Sequence, residues 1–256
     1  MPLGERVLLA LSHAPDALPA YETRPRWTVE TALTLLDEAF PWVRGEVRGL
    51  RIMDMGCGAG YQLVALARLG AARVVGIEPN PRTRAAAHRL AVEHGVADRV
   101  AVRPAPATGD RAGYDIVVSQ DSMEHFPRPL EVLEQMRAAL APGGRMLVVF
   151  GPPWLAPYGS HMRFFTFVPW VNLLFRERTV LAVRARYKQD GARRYEDVES
   201  GLNRMTVARF EALVAQAGLV VRRRRYRCLK GMDFLAHLPG ARELLINQVQ
   251  AELMAA

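Results

Sequence analysis

Leu50-Arg51-Ile52-Met53-Asp54-Met55-Gly56-Cys57-Gly58-Ala59-Gly60 is the stretch on which the fold turns. Its first residues are mostly apolar and read as a short buried strand, after which glycine takes every second position. Residues 61–69 then carry apolar side chains at helical spacing, and Gly70 supplies a stop. Strand, glycine turn and helix form the layout of a nucleotide-binding loop. Glycine permits a tight turn and close backbone approach, and the helix start offers free N–H groups. The spacing is Gly-x-Gly-x-Gly, not the Gly-x-Gly-x-x-Gly of dinucleotide binders, and no Gly-Lys-Ser/Thr follows for a triphosphate.

One strand further on, Arg73-Val74-Val75-Gly76-Ile77-Glu78-Pro79 is again apolar and ends in an acid, 18 residues after Gly60. A carboxylate at the tip of a second strand can accept both hydroxyls of a ribose. Asp54, before the first glycine, is a second acid, placed where a cationic amine could sit. The alternation continues. A helix is expected over 82–94, stopped by Gly95, then strands over 98–103 and 114–120. A helix over 129–140 has proline in its first turn, and Pro142-Gly143-Gly144 turns into a strand over 146–150. Strands alternating with helices imply a parallel sheet covered on both faces, with ligands at the carboxyl ends of the strands.

Asp-x-Gly-x-Gly-x-Gly with the later Glu78 resembles the first two motifs of the class I S-adenosylmethionine-dependent methyltransferases. The resemblance continues through Tyr114-Asp115-Ile116-Val117-Val118-Ser119-Gln120-Asp121, Glu124-His125 and Leu140-Ala141-Pro142-Gly143-Gly144. It covers roughly residues 45–151 in five consecutive elements, all in family order. It implies a Rossmann-like α/β fold with a seven-stranded, mostly parallel sheet, and S-adenosylmethionine as the cofactor. The implied binding residues are Asp54, Gly56, Cys57 through its backbone, Gly58, Gly60, Glu78, Pro79, Gln120 and Asp121. Residues 104–109 depart from the pattern, offering prolines and alanines where relatives carry an acid for the adenine amine. A backbone contact from Ala105 to Ala107 is the expected substitute. Periodicity over 243–253 fits a helix or a strand, and the resemblance favours an antiparallel seventh strand.

Around this core, residues 1–44 are expected to form an N-terminal helical cover, and 45–256 the methyltransferase domain. Thr28 caps a helix carrying Leu33, Leu35, Leu36, Ala39 and Phe40, with Thr31 one position early for a reciprocal acid and Pro41 as its end. Tyr21, Arg24, Arg26 and Trp27 are candidate contacts. Residues 152–203, opening on a run dense in proline and glycine, read as a lid or acceptor insertion after strand five. Its Phe164, Phe165, Phe167, Trp170 and Phe175 suit an apolar or aromatic acceptor, plain packing or a homodimer contact. Thr206 then caps a helix, and a sixth strand follows over 219–228.

Methyl transfer from a sulfonium is an in-line displacement, so the protein must align the groups, exclude water and, where needed, take the nucleophile's proton. Asp121, His125 and His161 are the candidate catalytic residues. Asp121 and His125 stand four apart and could share one face of a helical turn as an oriented base. His161 lies in the loop after strand five, where acceptor-side groups belong. Gly151-Pro152-Pro153-Trp154 lacks the Asn or Asp of amino-methylating enzymes, and no Pro-Cys pair serves cytosine chemistry. The expected reaction is O-methylation of a small molecule in natural-product or sugar biosynthesis. N- or C-methylation of a small molecule, or an RNA or protein acceptor, are the alternatives.

The formal charge of +8 does not by itself point to nucleic acid. Of 34 basic residues only Lys188 and Lys230 are lysines, a bias of the kind a high-GC coding sequence produces. Arg222-Arg223-Arg224-Arg225-Tyr226-Arg227 follows Leu219-Val220-Val221 and reads as a strand whose arginines face water, with an RNA surface as the alternative. No uncharged apolar run reaches membrane-spanning length, and Met1-Pro2-Leu3-Gly4-Glu5-Arg6 is not expected to open a signal peptide. Two cysteines give no disulfide or metal framework, and a cytoplasmic location is the expectation.

Overall fold

In the computed structural model, which describes residues 1–14, 27–238 and 241–256, the strand, glycine turn and helix form as read. Tyr21, Arg24 and Arg26 lie outside the described residues. The first elements are α1 (Leu3–Ala10), α2 (Val29–Ala39), α3 (Val43–Glu46), β1 (Arg51–Met55) and α4 (Tyr61–Arg68). Next come β2 (Arg73–Ile77), α5 (Pro81–Glu93), β3 (Val100–Arg103), β4 (Tyr114–Gln120), α6 (Pro129–Ala139) and β5 (Leu140–Phe150). The chain ends with α7 (Val171–Leu174), α8 (Glu177–Arg184), α9 (Val207–Gln216), β6 (Leu219–Cys228), α10 (Arg242–Leu245) and β7 (Ile246–Ala255). The strands form one sheet in the order β3-β2-β1-β4-β5-β7-β6. β7 is antiparallel to both β5 and β6, and the first five strands pair in parallel.

The central strands are buried on both faces, so they read as continuous apolar runs, yet successive side chains still part to opposite sides. Ile52, Val74, Ile116, Val118, Leu147 and Val149 pack with α2 and α4. Met53, Val75, Val117, Met146, Val148 and Phe150 pack with α6 and α9. Each large side chain fully withdrawn from water on either face contributes about 1.5–3 kcal/mol.

The described residues of 1–44 go to two places. α2 and α3 join the sheet's core through Leu36, Phe40 and Val43. α1 instead enters a third core, made by residues 152–203, where Leu8 packs with Phe165, Val180, Leu181 and Tyr195. The His13 N–H donates to the Phe165 carbonyl (2.9 Å), and the Thr166 hydroxyl to the Leu11 carbonyl (3.3 Å). Two local readings change. Thr31 is not a misplaced acid: its hydroxyl accepts the Thr28 N–H at 2.8 Å and closes the capping box itself. Pro142-Gly143-Gly144 does not precede β5 but lies within it, at an irregularity where the register against β4 shifts.

Residues 242–245 make one helical turn, and the antiparallel seventh strand follows. The arginines of β6 are mostly paired: Arg222 with Glu252, Arg224 with Glu211, and Arg225 and Arg227 with Asp233. Among the described residues no helix is long and apolar enough to cross a membrane, and no cluster of metal-ligating side chains occurs.

Candidate active site

The candidate site lies where β1, β2, β4 and β5 end. Gly56, Gly58 and Gly60 all hold left-handed φ values, 85°, 52° and 83°. The loop is drawn against β2 because the N–H groups of Gly56 and Cys57 both donate to the Ile77 carbonyl (2.9 and 3.1 Å). The Cys57 carbonyl accepts the Gly60 N–H, so both backbone polar groups of Cys57 close the turn. Its side chain fills the space over Gly76, where an added Cβ would stand 2.5 Å from the Cys57 sulfur. By contrast, an added Cβ at Gly58 would meet nothing within 4 Å among the described residues. That is the open side of the loop. α4 starts at Gly60 with no side-chain cap and no acid in its first turn, which leaves its first N–H groups suited to an anion.

Two carboxylates adjoin this loop. Asp54 is 2 % exposed. Burial, and next the charge of Glu78, push its pKa up to about 7. Burial, then Asp54 and Glu78, likewise push the Cys57 thiol up. Glu78 is half-buried and one of its oxygens accepts the Asn80 N–H (2.8 Å). Pro79 is exposed beside it, and its carbonyl and that of Glu78 both accept from Arg84.

The raised pKa of Asp54 has a consequence for stability. An unfolded chain releases this proton near pH 3.9. Between about pH 4 and 7 the folded protein therefore holds a proton that the unfolded chain has lost, and stability falls as pH rises through that window. Ligand-free thermal melts of wild type and Asp54→Asn check this. The wild type is expected to lose ground to the variant by up to about 1.4 kcal/mol per pH unit, levelling off above pH 7. Curves that stay parallel across the window would place an ionised Asp54 in the fold.

β4 ends in the other wall. Gln120 is buried, and its side-chain oxygen has no hydrogen-bond partner among the described residues. Asp121 takes a left-handed φ of 49° while its N–H donates to the Val149 carbonyl (2.8 Å). That backbone conformation is uncommon outside glycine, and it reverses the chain at once at the strand end. The Ser122 hydroxyl then lies 3.1 Å from the Gly56 carbonyl and 3.0 Å from that of Gln120, locking this turn onto the glycine loop.

The structure brings His125 and His161 together, with ring centroids 5.3 Å apart and nearly perpendicular. The chain reverses at Asp121, and a turn follows in which the His125 N–H donates to the Ser122 carbonyl (2.9 Å). The imidazole finds a partner in the last residues of the insertion: its Nδ1 lies 2.7 Å from the Gly201 carbonyl. A carbonyl only accepts, so Nδ1 carries the proton and, in the neutral ring, Nε2 is the acceptor. Asn203 holds Gly201 in place by donating to the carbonyls of Met123 and Phe126, both at 2.8 Å. Glu124 is a support: buried, it accepts the Gly151 N–H at 3.2 Å and ties the ends of β4 and β5 together.

Sequence reading missed Gly201 and Asn203, which lie in no motif. It also missed Asp110, the acid that follows the proline- and alanine-rich stretch. Asp110 is buried, and its carboxylate accepts from the Tyr114 hydroxyl (2.6 Å), the Ala107 N–H (2.6 Å) and Arg103 (3.0 Å). Burial acts to raise its pKa, but these hydrogen bonds and the Arg103 charge hold it below the ordinary value. It is committed to the fold. Within the stretch from Ala105 to Ala107, where a backbone contact to adenine is expected, Asp110 takes the Ala107 N–H.

The sequence profile of the family described as "Methyltransferase domain" matches residues 24–223. An uncharacterized methyltransferase of Mycobacterium leprae is 34% identical over 114 residues, 44% of this chain and 41% of its own. The ubiquinone biosynthesis O-methyltransferase of Aeromonas salmonicida is 32% identical over 133 residues, 48% of this chain and 55% of its own. The chain thus spans about half the length of these relatives. Among solved structures, a geranyl diphosphate methyltransferase in complex with SAM superposes with a TM-score of 0.58 at 17% identity. That match covers 89% of this chain and 85% of the other, a likeness of fold.

Proposed function

This chain belongs to the methyltransferase-domain family, and from that premise we propose that it moves a methyl group from S-adenosylmethionine to a hydroxyl of a small-molecule acceptor. The observation that carries the proposal is the buried Asp54 carboxylate beside Glu78 at a loop of three left-handed glycines. Two acids sharing one buried neighbourhood favour a ligand that brings positive charge. The open side of Gly58 and the uncapped start of α4 fit the carboxylate of the same ligand. When bound, S-adenosylmethionine supplies a methyl group on a positively charged sulfur.

The chain's own groups then divide the work. Asp54 and the backbone of Gly56, Cys57, Gly58 and Gly60 hold the methionine part. Glu78 and Pro79 hold the ribose, and the backbone at Ala105 is left for the adenine. Gln120 and Asp121 form the wall beside the methyl group. His125 accepts the proton of the acceptor hydroxyl at Nε2, held in that tautomer by Gly201, with His161 beside it. Residues 152–203 act as the lid that excludes water, and their aromatic side chains favour an acceptor with an apolar or aromatic body.

Relatives with small-molecule names support the acceptor class, and the name of the Aeromonas salmonicida relative supports oxygen. Incubation with S-adenosylmethionine and matched phenol and aniline acceptors tests the reading through release of the demethylated donor. Turnover is expected with a phenol and not with its aniline partner. Turnover confined to amines, or none across a broad hydroxyl panel, would contradict it.

A further inference from the structure

The arginine run of β6, which the candidate active site does not use, lines an open cleft of about 670 Å³. β6 is the edge strand, and Tyr226 stands level with Phe150 through their common partner Val249. The cleft therefore opens at the same end of the sheet as the glycine loop, two strand spacings, about 10 Å, outward from β5. Arg224 and Arg225 from β6 and Arg242 from α10 supply its cations, and Tyr226 and Phe234 its aromatic surface. Phe234 is 71% exposed.

The cations are organised by too few acids to neutralise them. Glu211 on α9 accepts from both Arg224 (2.7 Å) and Arg242 (2.6 Å), and from the Tyr226 hydroxyl. Asp233 is shared by Arg225 (3.4 Å) and Arg227 (3.1 Å). Four guanidinium groups, Arg227 outside the lining, thus rest on two carboxylates, with Glu243 acting on Arg242 as a third, and His237 also lines the cleft. Each guanidinium carries five N–H donors in a fixed plane, and these pairings use only part of that set. Arg224 and Arg242 are further fixed over the Tyr226 ring, 5.0 and 5.8 Å from its centre. An ion-pair network serving the fold alone needs neither surplus charge nor a cavity. Here the two coincide, at a size within the range of small-molecule sites.

We propose that this cleft binds a small phosphate-bearing molecule with an aromatic body. Its dianionic group lies in the cleft that Arg224, Arg225 and Arg242 line, and its ring on Phe234. A nucleic-acid strand is the poorer fit, because one exposed phenylalanine does not make a platform for successive bases. The inference stands on the cleft alone and does not depend on the donor reading.

Calorimetric titration with phenyl phosphate and with inorganic pyrophosphate at physiological ionic strength tests it. Saturable binding of one molecule of either probe per chain is expected. Arg225 is half exposed, so Arg225→Gln should melt like the wild type and weaken both probes about tenfold. Phe234→Ser keeps every ion pair, and should weaken phenyl phosphate about fivefold while leaving pyrophosphate unchanged. Three results would overturn the proposal: no saturable binding to the wild type, unchanged affinity in a normally folded Arg225→Gln, or a single-stranded oligonucleotide binding far more tightly than either probe.

Discussion

Gly60→Ala is expected to melt about 10 °C below the wild type and to lose donor binding. Two costs add. At a φ of 83° any side chain enters the left-handed region, at about 1–2 kcal/mol. The new methyl group would also stand 2.8 Å from the Ala87 Cβ and 3.1 Å from its Cα on α5, where only a backbone shift makes room. Overpacking of that kind costs about 1–3 kcal/mol, and it falls on the contact that seats the glycine loop between β2 and α5. Gly58→Ala is the informative partner. It carries the left-handed cost without a clash, because its Cβ would enter open space. It should melt only about 3 °C lower, yet bind donor more weakly than its stability implies. Equal melting losses in the two variants would mean that the Gly60–Ala87 contact does not hold the loop.

His125→Ala is expected to lower kcat about 10²- to 10⁴-fold while the dissociation constant for S-adenosylmethionine stays within about twofold. The imidazole has its Nδ1–H on the Gly201 carbonyl, which in the neutral ring makes Nε2 the accepting nitrogen. His161 lies edge-on to it, so the two rings act as a unit, and the double variant should be little worse than the worse single one. Asn203→Ala distinguishes orientation from mere presence. Loss of its two hydrogen bonds frees Gly201, which should lower kcat and shift the acid limb of the pH–rate profile without removing the base. Unchanged turnover in all three variants would move the base elsewhere or show that the acceptor needs none.

The parts legible in the sequence were those written locally. The glycine loop and Glu78 follow from a short apolar run, an alternation of glycine and a helical period, each decided within a dozen residues. The parallel, doubly covered sheet follows from the alternation of apolar strands with helices. What stayed hidden depends on contacts between distant segments. Asp110 looks like an unremarked loop acid until Arg103 and Tyr114 close around it. Gly201 and Asn203 acquire meaning only because the end of the 152–203 insertion returns to the turn after β4. The destination of α1 was likewise unreadable, since Leu8 would satisfy any apolar surface and the partner core is built more than 150 residues later. The carboxylate of Asp121 is visible in the sequence, while its left-handed backbone, which sets the wall of the site, leaves no mark in composition.

The most direct test is calorimetric titration of the wild type and of Glu78→Ala with S-adenosylmethionine, at pH 6 and pH 8. Ionised Asp54 is the form that a cationic ligand favours, and its pKa in the free protein is raised to about 7. Binding of one molecule per chain, about tenfold tighter at pH 8 than at pH 6 and lost in Glu78→Ala, is the result the account predicts. A wild-type protein that binds neither the donor nor its demethylated product at either pH would contradict it.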